Sequence, residues 1–111
     1  MIQVIVEKQN ENIIAFHMEG HSGYAERGAD IICSAVSALA INCVNSIEEL
    51  THDAFSVGQD EERGMLDFRM QTMPSGETQL LLQSMLIGIK GISEMYGEQY
   101  VTVEIVRRKK P

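Results

Sequence analysis

Two cysteines, Cys33 and Cys43, and three histidines, His17, His21 and His52, are the side chains of this sequence best suited to nucleophilic or proton-transfer chemistry. Cys33 follows Asp30, Ile31 and Ile32 at the start of a helical pattern, and Asp30 is a good N-cap residue for it. That spacing predicts a thiol in the first helical turn, where unpaired backbone N–H groups and the positive dipole end favour thiolate over thiol. Cys43 falls on the apolar stripe of the same helix and is expected to be inert core. The two lie ten residues apart, about 15 Å along a helix axis, so they cannot bridge.

A thiolate needs a base, and His21 is the candidate. It stands where a strand pattern ends, between Gly20 and Gly23, in a glycine-containing stretch that returns to the helix. Ser37 lies one helical turn beyond Cys33 on the same face, so its hydroxyl is placed to hydrogen-bond the thiolate or the imidazole. Asp30 would either orient His21 or simply cap the helix. His17 alternates to the outer face of its strand, and His52 follows a helix end. No cysteine or histidine shows metal-ligand spacing, so neither metal nor cofactor is expected. Residue types alone leave Cys33 open to two readings, a nucleophile or a small apolar residue.

The elements that must position these residues follow from periodicity. Residues 2–8 and 12–19 alternate as strands joined by a hairpin turn at Gln9, Asn10 and Glu11. Residues 20–30 carry Gly20, Gly23 and Gly28 without periodicity and read as a long functional loop, including Ser22 and Tyr24, expected to act as a mobile lid. From Asp30 to about Thr51 the residues Ile32, Val36, Leu39, Cys43, Ile47 and Leu50 form an amphipathic helical stripe. Strands at 54–59 and 63–70 flank the acidic turn Asp60, Glu61 and Glu62. Pro74, Ser75 and Gly76 open a second helix with the stripe Leu82, Met85, Ile89, Ile92 and Tyr96, ending at Gly97, and a last strand covers 100–106. The order β-β-α-β-β-α-β predicts a single α+β domain over residues 1–111, a two-layer sandwich of a mixed sheet of about five strands under two helices.

Composition narrows the function classes. Hydrophobic residues at 44% and charged residues at 23% fit a compact globular chain. No run approaches the ~18 consecutive apolar residues of a membrane span, and MIQVIVEKQNEN lacks the features of a signal sequence, so with two free thiols the chain reads as cytoplasmic. The net charge of -7 includes four positive charges from Arg107, Arg108, Lys109 and Lys110, so the body is more acidic still. Such a body repels nucleic acid and attracts basic proteins. The seven methionines include Met73, Met85 and Met95, which could line an apolar cleft, although core packing is the simpler assignment.

The block Gly20-His21-Ser22-Gly23-Tyr24-Ala25-Glu26, then Gly28, Asp30-Ile31-Ile32-Cys33-Ser34-Ala35-Val36-Ser37, resembles the Prp family of ribosomal-processing cysteine proteases, also called YsxB-like proteins. The resemblance implies an endopeptidase that removes a short N-terminal extension from large-subunit ribosomal protein twenty-seven. It implies Cys33 as nucleophile, His21 as general base, and Gly20, Asp30 and Ser37 as supporting residues. It also implies a homodimer. Ser22 and Ser34 stand where alanine is common in the family. Two other classes compete: a non-catalytic ribosome-associated binding module, which would not need both His21 and Cys33, and a thiol redox sensor, which would not cleave protein.

Overall fold

The computed structural model describes the backbone of residues 1–20 and 27–108 and the side chains of residues 1–20 and 31–108. The element order is β1 (Ile2–Gln9), β2 (Asn12–Glu19), α1 (Arg27–Leu50), β3 (Phe55–Asp60), β4 (Met65–Met70), α2 (Gly76–Tyr96) and β5 (Val101–Arg108). The strands form one mixed sheet in the order β3-β4-β2-β1-β5. All pairings are antiparallel except that of β1 with β5. This is the α+β architecture that the periodicity predicts.

Each connection has a local cause. β1 and β2 are joined through Asn10 and Glu11, both at positive φ (54° and 66°), the geometry that matches the twist of a two-residue hairpin. A register shift between Glu7 and Lys8 leaves Ile14 without a partner on β1, and next to it the Gln79 amide of α2 accepts from the Ile13 N–H at 2.9 Å and donates to the Ile13 carbonyl at 2.8 Å. Ser75 caps α2 by accepting from the Thr78 N–H at 3.2 Å, and Gly97, at φ 109°, ends it with its N–H on the Ser93 carbonyl.

One face of the sheet is the core. Val4, Val6, Phe16, Met18, Leu66 and Phe68 meet Ile32, Val36, Ala40 and Ile47 of α1 and Leu82, Met85 and Ile89 of α2. Phe68 stacks on Phe16 and packs tilted against Phe55, each pair of ring centroids 5.1 Å apart. Helix α1 carries no charged side chain from Ile31 to Ile47. By length and apolarity alone Ile31–Leu50 could cross a membrane; in the fold its stripe of Ile32, Val36, Ala40, Cys43 and Ile47 is buried, while Ile31, Ile41 and Leu50 are exposed.

α1 begins at Arg27, three residues ahead of the expected cap. Gly28 and Asp30 therefore belong to the helix, and Asp30 is its fourth residue rather than its N-cap. A single glycine costs a helix only about 1 kcal/mol, and an acidic residue close to the positive end of the dipole offsets part of that. Of the loop read over 20–30, residues 21–26 lie outside the described residues, as does its expected role as a mobile lid.

Candidate active site

Cys33 stands half-buried on the flank of α1 that faces the β3–β4 hairpin. Ser37 is one turn along the same flank and Ile41 one turn further, and all three line a groove of about 210 Å3. Ile2, Met18 and Leu66 also line it, joining the ends of β1, β2 and β4 to the site. Gln59, Asp60, Glu61, Gly64 and Met65, from the end of β3, the hairpin turn and the start of β4, complete the lining. The groove is apolar around Cys33 and acidic at the hairpin turn.

Gly20 closes the groove at the end of β2. Its φ is 124°, and a Cβ there would run into the Met1 carbonyl, so glycine alone fits the step that leads from β2 into residue 21. This gives Gly20 a physical role that the sequence pattern did not specify. His21, Ser22, Gly23 and Tyr24 lie outside the described residues, so the expected pairing of His21 with Cys33 is not among the described contacts.

The early start of α1 changes the electrostatics expected at the thiol. Cys33 is the seventh residue of the helix, about 9 Å beyond Arg27 along the axis, not in the first turn. The unpaired N–H groups of a helix belong to its first four residues, so they do not surround the sulfur, and the dipole is weaker there. Ser37, one helical turn beyond Cys33, lines the same groove. Cys43 behaves as its inert counterpart: it is 4% exposed, burial pushes its thiol up to about 12, and its Sγ contacts the Leu81 carbonyl at 3.5 Å.

The groove wall is fastened from the outer sheet face. Asp60 Oδ1 accepts from the Glu62 and Arg63 N–H groups at 3.1 and 3.3 Å, shaping the hairpin turn. Arg63 then reaches Glu19, with Nη2 at 2.8 and 2.9 Å from its two carboxylate oxygens. His17 lies between Glu19 and Asp67, its Nε2 at 3.0 Å from one and its Nδ1 at 2.9 Å from the other. An imidazole can donate from both nitrogens only as imidazolium. Its pKa is accordingly raised, first by the hydrogen bond to Glu19 and then, against the cost of burial, by that to Asp67. Glu19 is held below its ordinary value by His17 and Arg63. At Glu7 burial opposes ionisation, but Arg108 and Arg69 outweigh it and lower the pKa.

Several lining residues escaped the sequence reading. The turn at Asp60–Glu62 read only as a turn, because nothing in the local pattern says that β4 pairs with β2 and so carries the hairpin to the end of β2. Met85 is buried core, as the simpler assignment held, while Met73 and Met95 are exposed. Met18 and Met65 line the groove instead. Among the described residues no group of three or more His, Cys, Asp or Glu side chains is arranged to hold a metal ion.

Known proteins share both sequence and fold with this chain. The profile of the family described as "Cysteine protease Prp" matches residues 1–102. The ribosomal processing cysteine protease Prp of Staphylococcus aureus is 36% identical over 81 residues, 73% of this chain and 76% of that protein. That of Bacillus subtilis is 28% identical over 112 residues, 96% of this chain and all of its own length. The crystal structure of the S. aureus protease with a substrate peptide superposes with a TM-score of 0.87 at 29% identity, covering 95% of this chain and 99% of that one. The structure of the same protease with a covalently linked product peptide gives 0.85 at 30% identity, with the same coverage. The chain therefore belongs to the cysteine protease Prp family.

Proposed function

We propose that this protease removes the short N-terminal extension of large-subunit ribosomal protein twenty-seven, with Cys33 as nucleophile and His21 as general base. The observation that carries the reading is the position of Cys33: it is the half-buried thiol of a groove that Ser37 also lines, in a chain of a cysteine protease family. The S. aureus relative has been crystallised with a substrate peptide and with a covalently linked product peptide, the outcomes expected of covalent catalysis. The apolar lining from Ile2, Met18, Ile41 and Leu66 suits an apolar segment ahead of the cleavage site.

In the proposed reaction His21 takes the thiol proton and the Cys33 sulfur attacks the scissile carbonyl carbon. The C–N bond breaks as His21 returns the proton to the leaving amine, which leaves a thioester on Cys33. Water, deprotonated by His21, then attacks the thioester carbonyl and releases the carboxylate of the extension and the free thiol. Donors to the developing oxyanion come from groups beside the thiol rather than from the start of α1, and the Ser37 hydroxyl is one such donor. A thiol redox sensor fits less well, because the other cysteine, Cys43, is buried and lies outside the groove.

We assign the protease to the cytoplasm, where its ribosomal substrate is made, and to a homodimeric state. Ile31, Leu80, Ile87 and Met95, each at least 70% exposed on the helices, support an assembly through the helix layer. Sedimentation at the mass of a single chain would remove the dimer from the account. The cleavage reading is tested by incubating the extended ribosomal protein with the protease and with its Cys33→Ala and His21→Ala variants. Truncation by the unmodified protein alone is expected; an intact substrate in every sample would defeat it.

A further inference from the structure

β3 is the outermost strand on its side of the sheet and pairs only with β4. The Gln71 N–H donates to the Ala54 carbonyl at 2.9 Å, which fixes the phase of the antiparallel ladder. Because hydrogen-bonded and non-bonded pairs alternate, Ser56, Gly58 and Asp60 turn their backbone groups to β4, while Phe55, Val57 and Gln59 turn theirs outward. Among the described residues no strand takes up those outward groups.

Exposed edges are normally guarded by charge, proline or a bulge. The other edge, β5, follows that rule with Glu104, Arg107 and Arg108. β3 does not: from Ala54 to Gln59 there is neither a charged residue nor a proline, its ladder to β4 has no register shift, and a side chain added at Gly58 would meet nothing. Ser56, Val57, Gly58 and Gln59 are all exposed. The strand also leads into the groove, since Gln59 and Asp60 line it together with Cys33.

We infer that the part of the substrate ahead of the scissile bond binds as an added strand on the free edge of β3, a docking surface distinct from the groove that holds the reacting bond. The inference rests on the protease reading above. It selects an extended, uncharged peptide segment, whose main chain supplies the hydrogen bonds and whose sequence is read only where it enters the groove. From Phe55 to Gln59 the edge spans about 13 Å, enough for four or five residues. The acyl half suits this edge because it must stay bound through both attack and hydrolysis, whereas the amine half leaves after the first.

The test uses synthetic peptides of the ribosomal extension with alternate backbone amides of the acyl half N-methylated in either of two phases. Edge pairing predicts that one phase raises KM roughly tenfold or more with kcat little changed, while the other phase is cleaved like the unmodified peptide. Val57→Pro, which removes an outward N–H and no bond to β4, should raise KM in the same way. Cleavage of the parent peptide with both phases equal would overturn the edge while leaving the protease reading intact. If the parent peptide is not cleaved, the two fall together.

Discussion

At the residue scale the two thiols of helix α1 stand in opposite surroundings. Cys33 opens onto a groove and Cys43 is buried, with its thiol pushed up to about 12. Iodoacetamide at neutral pH is therefore expected to label Cys33 and spare Cys43 in the folded protein, as read by peptide mass mapping; equal labelling of both would contradict the burial argument. Cys33→Ala should lower turnover at least about a thousandfold, with Cys43→Ala retaining most of it. Gly20 is the other decisive residue. Gly20→Ala forces a Cβ toward the Met1 carbonyl at a φ of 124° and should destabilise the fold by roughly 2 kcal/mol or more, visible as a lowered denaturant midpoint. The candidacy of Cys33 and Ser37 was legible from their spacing on a helix. The true depth of Cys33 within that helix was not, because Asp30 is an equally good cap and first-turn residue, and only the backbone ahead of it decides where the helix begins.

At the scale of elements, the outer sheet face ties β2, β4 and the hairpin turn together through His17, Glu19, Asp67 and Arg63. The His17 pKa is raised in the folded state, so its contribution to stability is fully present below the unfolded value of about 6.5 and is lost as pH rises through the folded value. Thermal melts from pH 6 to 9 should show a decline on the alkaline side that His17→Gln flattens. A variant that keeps the parent slope would remove His17 from the network. Glu19 is lowered in turn, so its contribution is present above its unfolded pKa and lost on acidification through the folded one. Sequence reading put His17 on the outer face correctly from alternation. Its partners were out of reach, since Asp67 and Arg63 meet it only once β2 and β4 are known to be neighbours.

At the scale of the whole molecule, the seven elements and their type follow from periods of 2 and 3.6 in the apolar residues, and their boundaries move by a few residues at most. What periodicity does not contain is strand order. The sheet runs β3-β4-β2-β1-β5, and that order makes the end of β2, the flank of α1 and the β3–β4 turn into one groove. The net charge of -7 supplies a field that favours approach of a basic protein, as the proposed substrate is. Turnover at low substrate should fall as salt is raised from 50 to about 500 mM, mainly through kcat/KM. A salt-independent rate would show that the acidic field does not steer the substrate.

In the proposed reaction Cys33 carries the acyl half of the substrate as a thioester. Acid quench of the protease during turnover of the extended ribosomal protein, followed by intact-mass analysis and peptide mapping, should reveal a hydroxylamine-sensitive adduct on the peptide containing Cys33, with the mass of the removed extension. Continued cleavage by Cys33→Ala, or an adduct on any other residue, would contradict it.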